Sequence, residues 1–320
     1  RHIFMKLPPN LYAFILPAAA MRLAIAAAAI LLTVWSQWLP ASSGSYFGNE
    51  WLRDRFTRMH ASAEPESRIA VIDIDEASLS AAGPWPWPRQ RIAELVENLL
   101  GPYGARGVAL DLVLPERADE AGDMRLGVLA QHGPVVLAQA FDYVARPQPL
   151  RVGQVAGGIR ADDIAAAAPA TGFIGNHAGL AQGRHLGNIG FVPDPDGTIR
   201  YLPMLTLFNG RHYATLSLAL FECSAGAATG KRNSDAFWLI PYSRAWPAYT
   251  VVPAAGILTM AVPADLIKGR LVIIGSSSLG LTDRVTTPLA PATSCRLVHA
   301  SALSTLLVEQ AGKLIPAWPG

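Results

Sequence analysis

The stretch SRIAVIDIDE, residues 67–76, decides the fold class of this chain. It is a short apolar run, rich in β-branched residues, that ends in acidic residues, and this pattern is typical of a buried parallel strand. A segment with apolar residues on one helical face begins at Pro88, and a second apolar run, GVALDLVL, covers residues 107–114. Residues 69–114 therefore predict one β-α-β unit, whose crossover we expect to be right-handed.

The following residues continue this alternation of strands and helices. A helix is predicted over residues 123–132 and a third strand over residues 134–142. Residues 145–185 are rich in Gly and Ala without clear periodicity, which predicts loop with a short helix. The later predictions are a helix at 213–223, a strand near 237–240, a short helix around 263–267, a strand from 270 and a last helix from 299.

A long apolar stretch near the start of the chain predicts a membrane segment. Residues 11–39 contain one charge, Arg22, and a spanning helix needs about 20 apolar residues, so we predict a transmembrane helix over residues 23–40. Arg1 and Lys6 precede it, which by the positive-inside tendency places the N-terminus in the cytoplasm and the later residues outside. A cleaved secretory signal and an alanine-rich core helix remain alternatives.

Two turn signals, Asp196-Gly197 and Asn209-Gly210, predict antiparallel hairpins in the middle of the chain. Together, these patterns predict an α/β fold. It has a mainly parallel sheet flanked by helices, an inserted antiparallel meander and one transmembrane helix in front.

The composition excludes several classes of protein. Hydrophobic residues make up 51% of the 320 residues and charged residues 16%, which argues against a disordered or coiled-coil chain. A formal net charge of +2, with no run of more than two basic residues, argues against a nucleic-acid partner. Cys223 and Cys295 lack metal-site spacing and would pair only in an oxidising compartment. We therefore predict no metal and no cofactor.

Acidic residues follow the predicted strands. Asp73 and Asp75 are two positions apart, which predicts that they point to one face, with Glu76 turned away. Asp111 and Asp142 lie at or near the ends of the next two strands. Ligands of open α/β sheets collect at the carboxyl edge, so these carboxylates are candidates to bind a cation or a basic ligand, or to act as an acid/base pair. The alternative is that they cap loops and helices.

Two further motifs are candidates for recognition. The segment GPWPWPRQ presents Trp85 and Trp87 between stiff prolines, with Arg89 behind them, and it suits either a recognition surface or closure of the core. The loop GSSSLG, which contains Ser276, follows an apolar strand and offers hydroxyl groups and amides to an anion. No Walker lysine, G-x-G-x-x-G or G-x-S-x-G motif accompanies this loop.

Several motifs, taken in order, resemble the CHASE2 family of bacterial extracytoplasmic sensory domains. The similarity runs from about residue 68 to residue 307, with VIDIDEASLSAAGPWPWPRQ, GVALDLVLPERAD, GFVPDPDGTIR, LIKGRLVIIGSSSLGLTD and VHASALSTLL. The D-x-D-E and W-P-W-P-R signatures with the later D-x-D-G-x-x-R are specific in combination. Ser294-Cys295-Arg296 departs from the Pro-Gly-Val/Ile type of turn usual in the family, which leaves the shape of this turn open.

The resemblance implies the input domain of a membrane receptor whose effector, an adenylate or guanylate cyclase, a histidine kinase or a Ser/Thr kinase, lies outside this chain. It implies no catalytic residue here, a small-molecule or periplasmic protein ligand, and a homodimer in the bacterial inner membrane. The candidate ligand-binding residues are Asp73, Asp75, Glu76, Trp85, Trp87, Arg89, Asp111, Asp196, Arg200, Ser276 and Asp283.

The expected layout is a cytoplasmic segment (1–22), the transmembrane helix (23–40), a connector (41–67), a periplasmic sensor domain (68–315) and the start of a link to a second membrane segment (316–320). Two alternative functions stay open. One is a structural module that dimerises or docks on a periplasmic partner, and the other is an exported hydrolase that uses Asp73, Asp75 and Asp111 with a metal.

Overall fold

The computed structural model describes residues 20–33, 44–160, 166–225, 236–278 and 284–312. The chain divides into two compact units, Arg1–Arg53 and Asp54–Gly320. Residues 20–33 form helix α1, whose side chains are exposed. Among the residues described, no helix is both long enough and apolar enough to cross a membrane, so the transmembrane helix predicted over 23–40 is not found there. Residues 34–40 of that range lie outside the described residues.

The described secondary structure alternates between helices and strands. The other α-helices are α2 (Gly44–His60), α3 (Glu76–Ala82), α4 (Arg89–Leu100), α5 (Glu120–His132), α6 (Leu216–Ala225), α7 (Ala254–Leu258) and α8 (Cys295–Gln310). Short 3-10 helices cover Trp246–Ala248 and Ala264–Leu266. The first eight strands are β1 (Glu66–Ile74), β2 (Gly107–Leu110), β3 (Val135–Asp142), β4 (Arg151–Val152), β5 (Ile159–Arg160), β6 (Ala168–Pro169), β7 (Gly172–Ile174) and β8 (His185–Asn188). The later strands are β9 (Tyr201–Leu202), β10 (Leu205–Phe208), β11 (Arg211–Ala214), β12 (Trp238–Leu239), β13 (Tyr249–Pro253), β14 (Leu271–Ser276), β15 (Arg284–Val285) and β16 (Thr293–Ser294).

The main sheet is mostly parallel, as predicted. Its order is β13-β1-β14-β2-β3-β7-β4, and β8 also pairs with β3. The pairs β1/β13, β1/β14, β14/β2, β2/β3 and β3/β8 are parallel, and β3/β7 is antiparallel. The C-terminal strand β14 lies between β1 and β2, so the first two strands of the predicted β-α-β unit share a sheet without being neighbours.

Strand β1 shows why the sheet has helices on both faces. Its even-numbered residues, Ala70, Ile72 and Ile74, belong to one hydrophobic cluster with helices α4 and α7. Its odd-numbered residues Ile69 and Val71 belong to a second cluster with α6 and α8. Because side chains alternate along a strand, Asp73 lies on the α8 side. The continuous apolar run therefore predicted correctly a strand that is buried on both faces.

The predicted meander is present in part. Strands β10 and β11 form an antiparallel hairpin within a smaller sheet of order β5-β11-β10-β6. Its turn residues Asn209 and Gly210 both have positive φ, 48° and 69°, as the two-residue turn requires. At Asp196-Gly197 the chain turns without a hairpin of its own, because Thr198 pairs instead with Thr286 in a parallel bridge.

Several boundaries differ from the prediction. Helix α2 occupies much of the predicted connector, and short strands β4 to β7 lie within residues 145–185, of which residues 161–165 are outside the described residues. The helix predicted at 213–223 begins only at Leu216, because residues 211–214 are taken up by β11. Strand β13 and helix α7 were not predicted. Cys223 and Cys295 are free thiols.

Candidate functional site

Two aspartates flank β14 where the parallel strands end. Asp73 is near the end of β1, and Asp111 directly follows β2. In the register of the sheet, Asp73 lies beside Gly275 of β14, and the backbone N–H of Asp111 donates to the carbonyl of Ile274 at 2.8 Å. Both aspartates therefore lie at the carboxyl edge, the place where α/β sheets bind ligands. The sequence pattern predicted this placement.

A buried arginine from α8 joins this edge. Arg296 Nη2 donates to Asp73 Oδ2 at 2.6 Å, and Nη1 donates to Ser294 Oγ at 2.9 Å. Arg296 is 4% exposed and Asp73 8% exposed. A Cβ atom at Gly275 would lie 3.1 Å from Arg296 Cβ, so the glycine leaves room for the arginine to cross β14. We call Asp73, Asp111, Gly275 and Arg296 the edge site.

Serine hydroxyl groups fix the geometry around the edge site. Ser277 Oγ donates to Asp73 Oδ2 at 2.7 Å, and Ser276 Oγ donates to the carbonyl of Ile74 at 2.8 Å. Ser276 Oγ also lies 2.7 Å from Ser278 Oγ, and Ser294 Oγ donates to the carbonyl of Ser276 at 3.0 Å. Ser276, predicted as a ligand-binding residue, therefore holds β1, β14 and the start of α8 together.

Burial shifts the pKa values of the ionisable groups in the edge site. It raises the pKa of Asp73, although the positive charge of Arg296 opposes the shift. It raises the pKa of Asp111 to about 7, and it lowers the pKa of Arg296, which Asp73 and Asp111 counteract. Asp111 is partly exposed to solvent. The rise of its pKa is caused by the protein packed around the carboxyl group. The buried atoms Asp73 Oδ1 and Arg296 Nε have no hydrogen-bond partner among the described residues.

Asp75 and Glu76 lie at the start of helix α3, outside the edge site. Strand β1 ends at Ile74, so the two-residue period that would have placed Asp75 beside Asp73 stops there. Asp75 caps helix α3, and its Oδ1 accepts a hydrogen bond from the backbone N–H of Ser78 at 2.8 Å. Glu76 is the exposed first residue of that helix.

The W-P-W-P-R motif packs on the other face of the sheet, in the cluster with α4. Trp87 is 1% exposed, and its Nε1 donates to the carbonyl of Gly83 at 2.8 Å, while Trp85 is partly buried beside it. Arg89 is also buried, and its Nη2 donates to the carbonyl of Glu116 at 3.0 Å. These contacts correspond to closure of the core, the alternative that the sequence left open. A role of this motif in ligand binding stays a prediction.

The signature D-P-D-G-T-I-R forms a separate ion cluster. Arg200 is 2% exposed and donates to Asp54 at 2.8 and 2.9 Å, to Asp194 at 2.8 Å and to Asp196 at 2.7 and 3.0 Å. The hydrogen bond from Arg200 lowers the pKa of Asp196, and the three carboxylates raise that of Arg200. Because Asp54 belongs to α2, the cluster ties this helix to the loop at residues 194–200.

Side-chain and backbone hydrogen bonds connect the edge site to this ion cluster. Ser294, which bonds to both Ser276 and Arg296, belongs to β16, and β16 pairs with β15. Thr286 directly follows β15, and its backbone carbonyl accepts a hydrogen bond from the backbone N–H of Ile199 at 2.8 Å. Ile199 directly precedes Arg200. We call this series of contacts, from Arg296 through the β15–β16 hairpin to Arg200 and Asp54, the edge-to-helix connection.

The sequence did not identify Arg296, Gly275, Asp54 or Asp194 as site residues. A signal existed for Arg296, because Ser294-Cys295-Arg296 departs from the expected turn. The motif that contains Asp196 and Arg200 also contains Asp194. For Asp54, which lies 146 residues from its partner Arg200, no local pattern was available. The predicted site residue Asp283 lies outside the described residues.

The edge site combines charged and polar groups in one place. The guanidinium group of Arg296 is paired with Asp73, and the described residues contain no group of three or more His, Cys, Asp or Glu side chains suited to a metal. This edge of the α/β sheet contains charged groups and polar atoms without a partner among the described residues. These features define the class of the protein as an α/β domain with a polar carboxyl edge.

Comparison with known families places the chain within this class. The model of the CHASE2 domain matches residues 24–320, and the chain belongs to this family of extracellular sensory domains. No curated protein and no solved structure matches the chain. The family resemblance suggested by the sequence motifs is thereby confirmed.

Proposed function

We propose that this chain is the extracytoplasmic input domain of a bacterial membrane receptor. In this proposal a ligand binds at the edge site, and the effector is a cyclase or a kinase outside the chain. Membership of the CHASE2 family supports the sensory role. The single observation that carries the mechanism is the edge-to-helix connection, which ends on Asp54 of α2.

The edge-to-helix connection begins at the ion pair between Arg296 and Asp73, which a ligand at the edge site would disturb. A ligand that competes for Asp73 or Asp111 changes the position of Arg296, whose Nη1 is bonded to Ser294. Ser294 is part of the β15–β16 hairpin, and the residue after β15 is bonded to Ile199. A shift of this hairpin acts on Arg200 and so on α2. Binding would then favour one arrangement of α2, as a population shift between two states.

The proposal includes an N-terminal membrane anchor over residues 23–40 and a homodimer. Supporting evidence for the anchor is the apolar surface of α1, where Leu23 is 70% exposed and Leu31 is 68% exposed. A reporter pair tests the location: alkaline phosphatase fused after Gly320 should be active, and a green fluorescent protein at the same point should be dark. The opposite pattern would place the domain in the cytoplasm and overturn the proposal.

The route to α2 is tested by hydrogen exchange on the full chain. Arg296→Met should increase exchange at residues 54–60, because it removes the first contact of the route. Arg200→Lys should increase it at the same residues, since lysine cannot keep the bidentate contacts to Asp54 and Asp196. Asp265→Asn, an exposed change near the opposite edge of the sheet, is the control. Unchanged exchange at residues 54–60 in Arg296→Met would contradict the route.

A docking module is the second candidate function. A surface cleft of about 450 Å³ favours it; the cleft runs along α5 and is lined in part by the exposed side chains of Met124 and Val128 and by His177. The hydrolase alternative has less support, because Asp75 caps α3 and Asp73 is paired with Arg296.

A further inference from the structure

The edge site has more negative than positive charge. Asp73 near the end of β1 and Asp111 directly after β2 are the two carboxylates of the site, and Arg296 is the cation paired with Asp73. Arg296 Nη2 donates to Asp73 and Nη1 to Ser294, and among the described residues no hydrogen bond joins Arg296 to Asp111. Within the part of the chain that the structure describes, the carboxyl group of Asp111 makes no hydrogen bond and is partly exposed.

Two buried atoms of the edge site have unused hydrogen-bonding capacity. Asp73 Oδ1, on a residue 92% buried, is an acceptor without a donor in the described residues, and Arg296 Nε is a donor without an acceptor. An unpartnered buried polar atom costs about 1–3 kcal/mol, which a matching ligand group would recover. The free groups are thus two carboxylate acceptors and one guanidinium donor.

From these contacts we infer that the edge site binds a ligand through a protonated primary amino group, held by Asp111 and Asp73. A primary ammonium group has three N–H donors and one positive charge, which suits two carboxylates that flank the same strand, β14. A carboxylate on the same ligand, as in an amino acid, would also satisfy Arg296 Nε. The inference rests on the proposed sensory function and names the chemical class of its ligand.

The binding should depend on pH. Because the surrounding protein raises the pKa of Asp111 to about 7, its carboxyl group is partly protonated near neutral pH. An ammonium ligand binds the ionised carboxylate, so binding releases this proton. The affinity should therefore rise up to about pH 7 and level off above it, by at most about tenfold per pH unit in the rising part.

The test uses matched probes on the full 320-residue chain. Thermal unfolding is measured with L-alanine and with 1,4-diaminobutane, and with L-lactate and 1,4-butanediol, which replace each ammonium group by a hydroxyl group. A saturable rise of Tm with at least one ammonium probe, absent with its hydroxyl partner, is the expected result. No rise with either ammonium probe, or an equal rise with the hydroxyl partner, would overturn the inference.

A substitution then locates the binding. Asp111→Asn keeps the shape of the side chain but removes its charge, and should weaken binding of the active probe about tenfold or more. Asp265→Asn, near the opposite edge of the sheet, should leave it unchanged. If Asp111→Asn does not fold, the affinity of the unsubstituted chain for the active probe is measured as a function of pH. An affinity that does not decrease as the pH is lowered below 6 overturns the inference. None of these outcomes changes the result of the reporter fusions that test the extracytoplasmic location. A failure of the inferred ligand class can therefore be told apart from a failure of the proposed sensory function.

Discussion

Arg296 Nη2 lies 2.6 Å from Asp73 Oδ2, although 223 positions separate the two residues in the sequence. The pair joins the first turn of α8 to the end of β1 across Gly275. Burial raises the pKa of Asp73 and lowers that of Arg296, so both charges lose hydration that their mutual attraction must offset. The pair therefore specifies the geometry of the edge site more than it adds stability.

Removing one charge of this pair should be costly, and removing both should cost much less. Arg296→Met leaves the carboxylate of Asp73 buried without its cation, and we expect a loss of about 3–5 kcal/mol in the free energy of unfolding. Asp73→Asn combined with Arg296→Met should be more stable than the sum of the two single losses predicts. Urea unfolding of the four proteins measures this coupling. Strictly additive losses would show that the pair is not coupled.

Gly275 should be required only because Arg296 crosses it. In Gly275→Ala the new Cβ would lie 3.1 Å from Arg296 Cβ and 3.2 Å from its Cδ, a crowding that we expect to cost about 1–3 kcal/mol. The double variant with Arg296→Ala removes the Cγ and Cδ contacts and keeps only the Cβ contact, so it should lose less than the two single changes together. Urea unfolding is again the measurement, and an equal cost of Gly275→Ala in both backgrounds would contradict this explanation.

The strands of the main sheet could be predicted because burial on both faces requires an uninterrupted apolar run. The runs at residues 69–74, 107–110 and 271–276 are all strands of the sheet. Their order could not be predicted, because β14 inserts between β1 and β2 from the far end of the chain. Strand β13 was missed because its outer position leaves Val251 and Pro253 exposed, so Tyr249–Pro253 has no continuous apolar pattern.

The site could be predicted only where a local pattern encodes it. The carboxyl edge follows from the strand ends, and Asp73 and Asp111 are placed there as predicted. Asp75 caps a helix because the strand period stops one residue earlier, which is the capping alternative that the sequence left open. Arg296 and Asp54 reach their partners across 223 and 146 positions, and such pairings depend on tertiary packing.

Trp87 and Trp85 should respond differently to the same substitution. Trp87→Phe removes the indole N–H that donates to the carbonyl of Gly83 and leaves a cavity in the core, so we expect a loss of about 1–3 kcal/mol. Trp85 is partly exposed, and Trp85→Phe should cost less. The two midpoints of urea unfolding give the comparison. A greater loss from Trp85→Phe would argue that the motif is not arranged as described.

Asp111 and His299 should give the stability opposite dependences on pH. The pKa of Asp111 is raised to about 7 from about 3.9 in an unfolded chain. The folded state then binds the proton more strongly between these values. The contribution of Asp111 to the free energy of unfolding is fully present below about pH 4. It is lost as the pH rises through about 7, by at most about 1.4 kcal/mol per pH unit.

His299 acts in the other direction, because burial lowers its pKa to about 4 from about 6.5 in an unfolded chain. The unfolded state binds the proton more strongly between these values, so the stability contributed by neutral His299 is present above about pH 6.5 and lost as the pH falls through about 4.

Urea unfolding between pH 4 and 8 separates the two groups. Asp111→Asn should gain stability relative to the unsubstituted chain as the pH rises from 4 to 8. His299→Asn should lose less stability than the unsubstituted chain when the pH falls from 6.5 to 4. If each variant instead runs parallel to the unsubstituted chain across the whole range, neither group titrates with the shift described, and the pH-dependent binding expected at the edge site would lose its basis.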